Sequence, residues 1–145
     1  MTKDFGFEKV LIELDWYDGP RGGVAEVCGI LCRFKSNFDE KDDDWLGTFS
    51  VWPISAESFA LELEAWSIFV SWNKLFESGK AGTKSHPGTG GINIRYDEIV
   101  SLLQKERETI PSNCDLASAE FLRIERDARY EVSGPDYKLK WQLLD

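Results

Sequence analysis

AESFALELEAWSIFVSWNKLF, residues 56–76, repeats its apolar side chains with the period of an α-helix. At about 100° per residue, Phe59, Leu63, Trp66, Phe69, Val70, Trp72 and Phe76 share a broad apolar arc, and Ala60, Glu64, Ser67, Ser71 and Lys74 form a polar stripe. Two polar residues fall inside the arc, Glu62 and Asn73, with Glu62 between Trp66 and Phe69. Each must be paired in the interior, lie where the face meets a cleft, or lean out at its edge. Ser55 is the expected N-cap, because its hydroxyl can accept from a free N–H of the first turn, and Glu57 suits the positive helix end.

Upstream the period changes from helical to alternating. Glu8–Asp15 reads as a strand with Val10, Ile12 and Leu14 on one face. Trp16-Tyr17-Asp18-Gly19-Pro20-Arg21-Gly22-Gly23 is turn chemistry that reverses the chain. Val24–Phe34 reads as one nearly apolar second strand, with Gly29 as a bulge. Ser36–Asp44 holds five acids and one lysine in nine residues and reads as a solvated loop; its order of acids is not that of a calcium-binding EF-hand. Trp45–Pro53 is a third strand.

Downstream, Gly79–Gly91 (GKAGTKSHPGTGG) is a glycine-rich loop. It is not a phosphate-binding loop, because Thr83 intrudes between Gly82 and Lys84 and the run follows a helix where that motif needs a strand. Arg95–Thr109 reads as a second helix with Tyr96, Ile99, Leu103 and Ile110 as its stripe and Asn93 as its cap. Glu120–Arg129 reads as a strand, Ser133-Gly134-Pro135-Asp136 as a turn, and Tyr137–Leu144 as the returning strand. In that last strand Tyr137, Leu139, Trp141 and Leu143 face one way and Lys138, Lys140 and Gln142 the other. The order β-β-β-α-α-β-β predicts one α+β domain over residues 1–145, an antiparallel sheet of about five strands with both helices packed on one face.

With 145 residues, six Trp, nine Phe and four Tyr, the chain can bury a real core. Cys28 and Cys32, four residues apart on the expected strand, would lie roughly 13 Å apart at about 3.3 Å per residue, too far for a disulfide. With Cys114 they read as buried thiols of a reducing compartment. MTKDFGFEKV has no long apolar run, so neither a signal peptide nor a membrane span is expected, and the expected location is cytoplasmic.

The net charge of −9 is uneven: residues 1–78 hold 7 basic and 15 acidic side chains, and residues 79–145 hold 10 and 11. That sign disfavours nucleic acid and anionic membranes as partners and favours a basic protein surface. A single histidine, His86, and the absence of Cys-x-x-Cys or His-Glu-x-x-His spacing predict no metal and no cofactor. No nucleophile and base are linked by spacing, so no catalytic residue is assigned.

DWYDGPRGG near the start, the helix with Trp66-x-x-Phe69-x-x-Trp72-Asn73, and SHPGTGG before an Arg-Tyr helix resemble a group of short, uncharacterised bacterial proteins over about residues 8–105. The resemblance implies a bacterial source and a compact domain and carries over no site residue. In size and acidity the chain is also similar to immunity proteins of bacterial toxin systems.

Two readings of function follow. The first is a binding protein, of the kind that inhibits a toxin domain, using Asp39, Glu40, Asp42, Asp43, Asp44 and Trp45 against a basic surface. The second is a small enzyme or ligand-binding protein with a cleft around Glu62, Asn73, His86 and Arg95, in which Glu62 pairs with Asn73 or Arg95. The first is preferred, because an acidic surface suffices for binding whereas catalysis needs several placed polar groups.

Overall fold

The structure, a computed structural model, describes residues 5–39, 41 and 44–144. Its elements are β1 (Phe7–Trp16), β2 (Pro20–Val27), β3 (Ile30–Asp39), β4 (Asp44–Pro53), α1 (Ala56–Glu77), α2 (Ile94–Glu108), β5 (Asp115–Arg123), two short strands β6 (Tyr130–Glu131) and β7 (Gly134–Pro135), and β8 (Tyr137–Leu144). The chain is α+β and its main sheet is antiparallel. It forms two compact units. One takes the described residues up to Ile54, Ile110–Arg129 and those from Ser133 onward; the other takes Ser55–Thr109 with Tyr130–Val132.

The first unit is a closed barrel of six strands in the order β1-β2-β3-β4-β5-β8, where an antiparallel sheet of about five strands was expected. Closure comes from β1 pairing with β8, Glu8 opposite Leu139 and Lys9 opposite Lys138. It removes the free edges that an open sheet would expose. The extra strand comes from the run Val24–Phe34, which is two strands and not one. Val27 pairs with Ile30 across the two-residue turn Cys28-Gly29, and both turn residues have positive φ, 51° and 82°. Two such residues make the hairpin turn that matches strand twist. Glu8 holds it, its carboxylate accepting from Cys28 N–H at 2.8 Å and Gly29 N–H at 2.9 Å.

Two further boundaries differ from expectation. β2 begins at Pro20, because the first reversal needs only Tyr17, Asp18 and Gly19, and Asp18 itself takes a positive φ of 53°. The acidic run is not all loop: β3 continues to Asp39 and β4 starts at Asp44, with those two residues paired. β5 lies at 115–123, earlier than the expected strand, because its first residues DLASA are small and carry little apolar signal.

Inside the barrel the small residues Ala25 and Ala117 make room for Phe34, Phe49 and Trp141. These three rings meet edge to face, with centroids 5.4–5.9 Å apart, the arrangement that aromatic quadrupoles favour. Tyr137, Leu139 and Trp141 face inward from β8, as its alternation requires.

In the second unit, α1 starts at the expected cap, Ser58 N–H donating to Ser55 Oγ at 3.1 Å, and α2 at Asn93, whose Oδ1 accepts from Tyr96 N–H at 2.8 Å. Ala65, Ile99 and Leu103 form its core with Leu61 and Tyr96 packed against it. Among the described residues no helix is long and apolar enough to cross a membrane.

Candidate functional site

Glu62 is fully buried, with no exposed surface, and its carboxylate takes both Nε (3.0 Å) and Nη2 (2.5 Å) of Arg107. Arg95 instead grips Glu64, Nε at 2.5 Å and Nη2 at 2.9 Å, with Glu98 at 3.3 Å from Nη1. That contact holds the Glu64 carboxyl below the usual carboxylate range. So Glu62 does tie α1 to α2, but through Arg107. Residues two apart on α1 thus engage residues twelve apart on α2, and Ala65 packs among Ile99 and Leu103.

Asn73, also buried, donates from Nδ2 to Glu77 Oε1 at 3.2 Å. It lies about 16 Å along α1 from Glu62, at about 1.5 Å per residue. His86 closes the glycine-rich loop: its Nδ1 accepts from Gly88 N–H at 2.8 Å, and its ring sits 4.5 Å from Trp72 and 5.6 Å from Phe69. Trp72 Nε1 donates to Ser85 Oγ beside it. The four residues of the expected cleft therefore serve different contacts: a buried ion pair, a helix side-chain bond, a loop clasp and an exposed ion pair. Of the expected partner-binding set, Glu40, Asp42 and Asp43 lie outside the described residues, and only the backbone of Asp39, Asp44 and Trp45 is described.

The barrel itself forms a cavity at one end. The β1–β2 turn brings Trp16, Asp18 and Arg21 to this end, and the close of β5 brings Phe121 and Arg123, opposite Tyr137 on β8. The turn is stapled by Arg21, whose Nε donates to the Tyr17 carbonyl at 2.8 Å. Together with Phe49, Ala119 and Leu139 these residues line a cavity of about 490 Å³. A second one of about 380 Å³, lined by Asp15, Tyr17, Lys35, Ser36 and Phe38, shares Trp16 and Arg21.

The walls are aromatic and the rim is cationic. Trp16 and Phe121 stand 6.0 Å apart at 63°. The Arg123 guanidinium lies 5.6 Å from the Trp16 ring and 5.4 Å from Phe121, and Arg129 lies 4.9 Å from Trp16. Arg123 is anchored from one side, its Nη1 donating to both carboxylate oxygens of Asp136 at 2.7 and 2.8 Å. A cavity of this volume with apolar walls and few polar groups has the dimensions of a small-ligand site.

Among the described residues no serine, cysteine or histidine lines the larger cavity, and its carboxylate is that of Asp18. The thiols of Cys28 and Cys32 stand toward the other end of the barrel, where burial pushes Cys32 up to about 11, and burial with the Glu8 charge raises Cys28. Among the described residues no three His, Cys, Asp or Glu side chains stand together in a way that would hold a metal ion.

Trp16, Arg21, Phe121 and Arg123 are absent from the residues singled out for function in the sequence. The available signal was the turn DWYDGPR, read there as turn chemistry and as part of a resemblance that carried over no site residue. Arg107 was missed because a sequence does not reveal the crossing angle of two helices. No family model, no curated protein and no solved structure matches the chain.

Proposed function

We propose that the chain is a binding protein whose site is the aromatic, arginine-rimmed cavity at the Trp16 end of the barrel. The observation that carries this reading is the cavity of about 490 Å³ in which Trp16, Phe49 and Phe121 meet Arg21 and Arg123. A barrel with a packed interior and an open mouth is suited to holding a small ligand at its end, where strand termini and turns supply polar groups to a rigid apolar floor. The site around Glu62, His86 and Arg95 is the weaker alternative, because Glu62 is sealed by Arg107.

The test is amide-resolved NMR on the full chain with a set of small aromatic fragments. Shifts clustered at 16–21, 47–49 and 119–123, lost in Ala119→Trp, which fills the cavity, are the expected result. Shifts centred on 72–88, or none at all, would overturn the reading.

A second reading, a protein that blocks a basic partner such as a toxin domain, draws on one observation. The β3–β4 ladder runs as far as Asp39 opposite Asp44, so these two acidic residues end a paired ribbon at the same barrel end as Trp16. Replacing Asp39, Glu40, Asp42, Asp43 and Asp44 by their amides should then slow association with a basic partner and flatten its salt dependence. Unchanged stopped-flow kinetics would remove the ribbon from the interface.

A further inference from the structure

We infer that the occupant of the barrel-end cavity is a monoanionic carboxylate carried on a flat apolar body, with the carboxylate on Arg123. This rests on the cavity being a binding site and adds the class of ligand. A guanidinium has two edges that can grip a carboxylate with parallel N–H bonds. In Arg123 the Nη1 corner is taken by Asp136, while Nε and Nη2 have no protein partner among the described residues. The side chain is 46% exposed and lines the cavity, so the unused Nε–Nη2 edge is open to an occupant. Asp136 fixes the guanidinium from behind, which reduces the ordering cost of binding.

The walls select the rest of the ligand. Trp16 and Phe121, both within 6 Å of the same guanidinium, offer ring faces to a planar group, and Phe49 and Leu139 close the floor. The charges on the lining are Arg21, Arg123 and Asp18, with Asp136 behind Arg123 and Arg129 against Trp16. A dianionic phosphate would stand near the carboxylates of Asp18, of Asp136 and of Glu13, which accepts from Tyr137 Oη, in a chain of net charge −9, whereas a single carboxylate meets less repulsion.

The experiment is isothermal titration calorimetry of the full chain with 2-naphthoate, its neutral amide and 2-naphthyl phosphate. In the wild type the acid should bind about tenfold tighter than the amide or better, the worth of a charge-assisted pair. Arg123→Lys keeps the charge and a partner for Asp136 but has no two-nitrogen edge; it should bring acid and amide within about twofold of each other, as should Arg123→Gln. Equal binding of acid and amide to the wild type would overturn the carboxylate while leaving the cavity as a binding site. Tighter binding of the phosphate would overturn the choice of a monoanion. An acid preference that survives in Arg123→Lys would overturn the role of the fork. No binding of any probe would overturn the inference and count against the cavity itself.

Discussion

Gly23 sits where β2 comes closest to β1. A Cβ placed there would overlap the carbonyl oxygen of Ile12, a backbone atom that cannot move without moving β1, and its φ of 156° is one that side chains rarely adopt. At Gly22 the atom in the way is Asp15 Oδ2, the end of a side chain, at 2.8 Å. Gly23→Val should therefore cost about 3 kcal/mol or more, and Gly22→Ala and Arg21→Ala, the latter removing side-chain bonds to the Tyr17 carbonyl and Ser36 Oγ, much less. Urea unfolding curves of the three variants check the order. Glu62 and Arg107 make the complementary case, in which the side chain is the constraint. Removing either partner leaves a buried charge and should cost about 3–5 kcal/mol, while a paired Glu62→Leu, Arg107→Met replacement should recover most of that loss. A double-mutant cycle measures the difference. Cys32 supplies a test by pH. Its folded value of about 11 lies above the ordinary value near 9, so the folded state holds a proton that the unfolded state loses. Its contribution to stability is complete below about pH 9 and is lost as pH rises toward about 11. Wild type should thus lose more stability than Cys32→Ala between pH 8.5 and 10.5.

Among the elements, the β2–β3 hairpin shows how a short turn can hide in an apolar run. Val24-Ala25-Glu26-Val27 and Ile30-Leu31-Cys32-Arg33-Phe34 are continuous in hydropathy, and only Gly29 marks the reversal. Cys28 takes a positive φ without the side chain that favours it. Cys28→Asn puts the preferred residue for that turn in place and leaves the Glu8 bonds to the backbone untouched, so it should stabilise the chain by about 0.5 kcal/mol. Thermal melts decide it, and a lowered Tm would mean that the thiol contributes packing that the turn geometry does not reveal. The helices were far more legible. Their caps Ser55 and Asn93 and the buried positions of Glu62 and Asn73 follow from a 3.6-residue period that needs no knowledge of distant chain. Which arginine meets Glu62 depends on how α2 lies on α1, where Ala65 packs against Ile99 and Leu103, and no local pattern encodes that.

At the scale of the molecule, barrel closure is the feature that places the candidate site, and it is also the feature least visible in the sequence. Alternation in β1 and β8 signals two strands with one buried face each; their pairing with each other, Phe7 opposite Lys140, joins segments more than a hundred residues apart. The cavity inherits that distance. Trp16 and Arg21 come from the first reversal of the chain, Phe121 and Arg123 from the end of β5, and no local pattern links them. The most direct test of the account is a crystal structure of the full chain soaked with 2-naphthoate. The account predicts the ring against Trp16 and Phe121 with the carboxylate on Nε and Nη2 of Arg123. A naphthoate bound elsewhere with this cavity empty, or a bound ring whose carboxylate points away from Arg123, would contradict it.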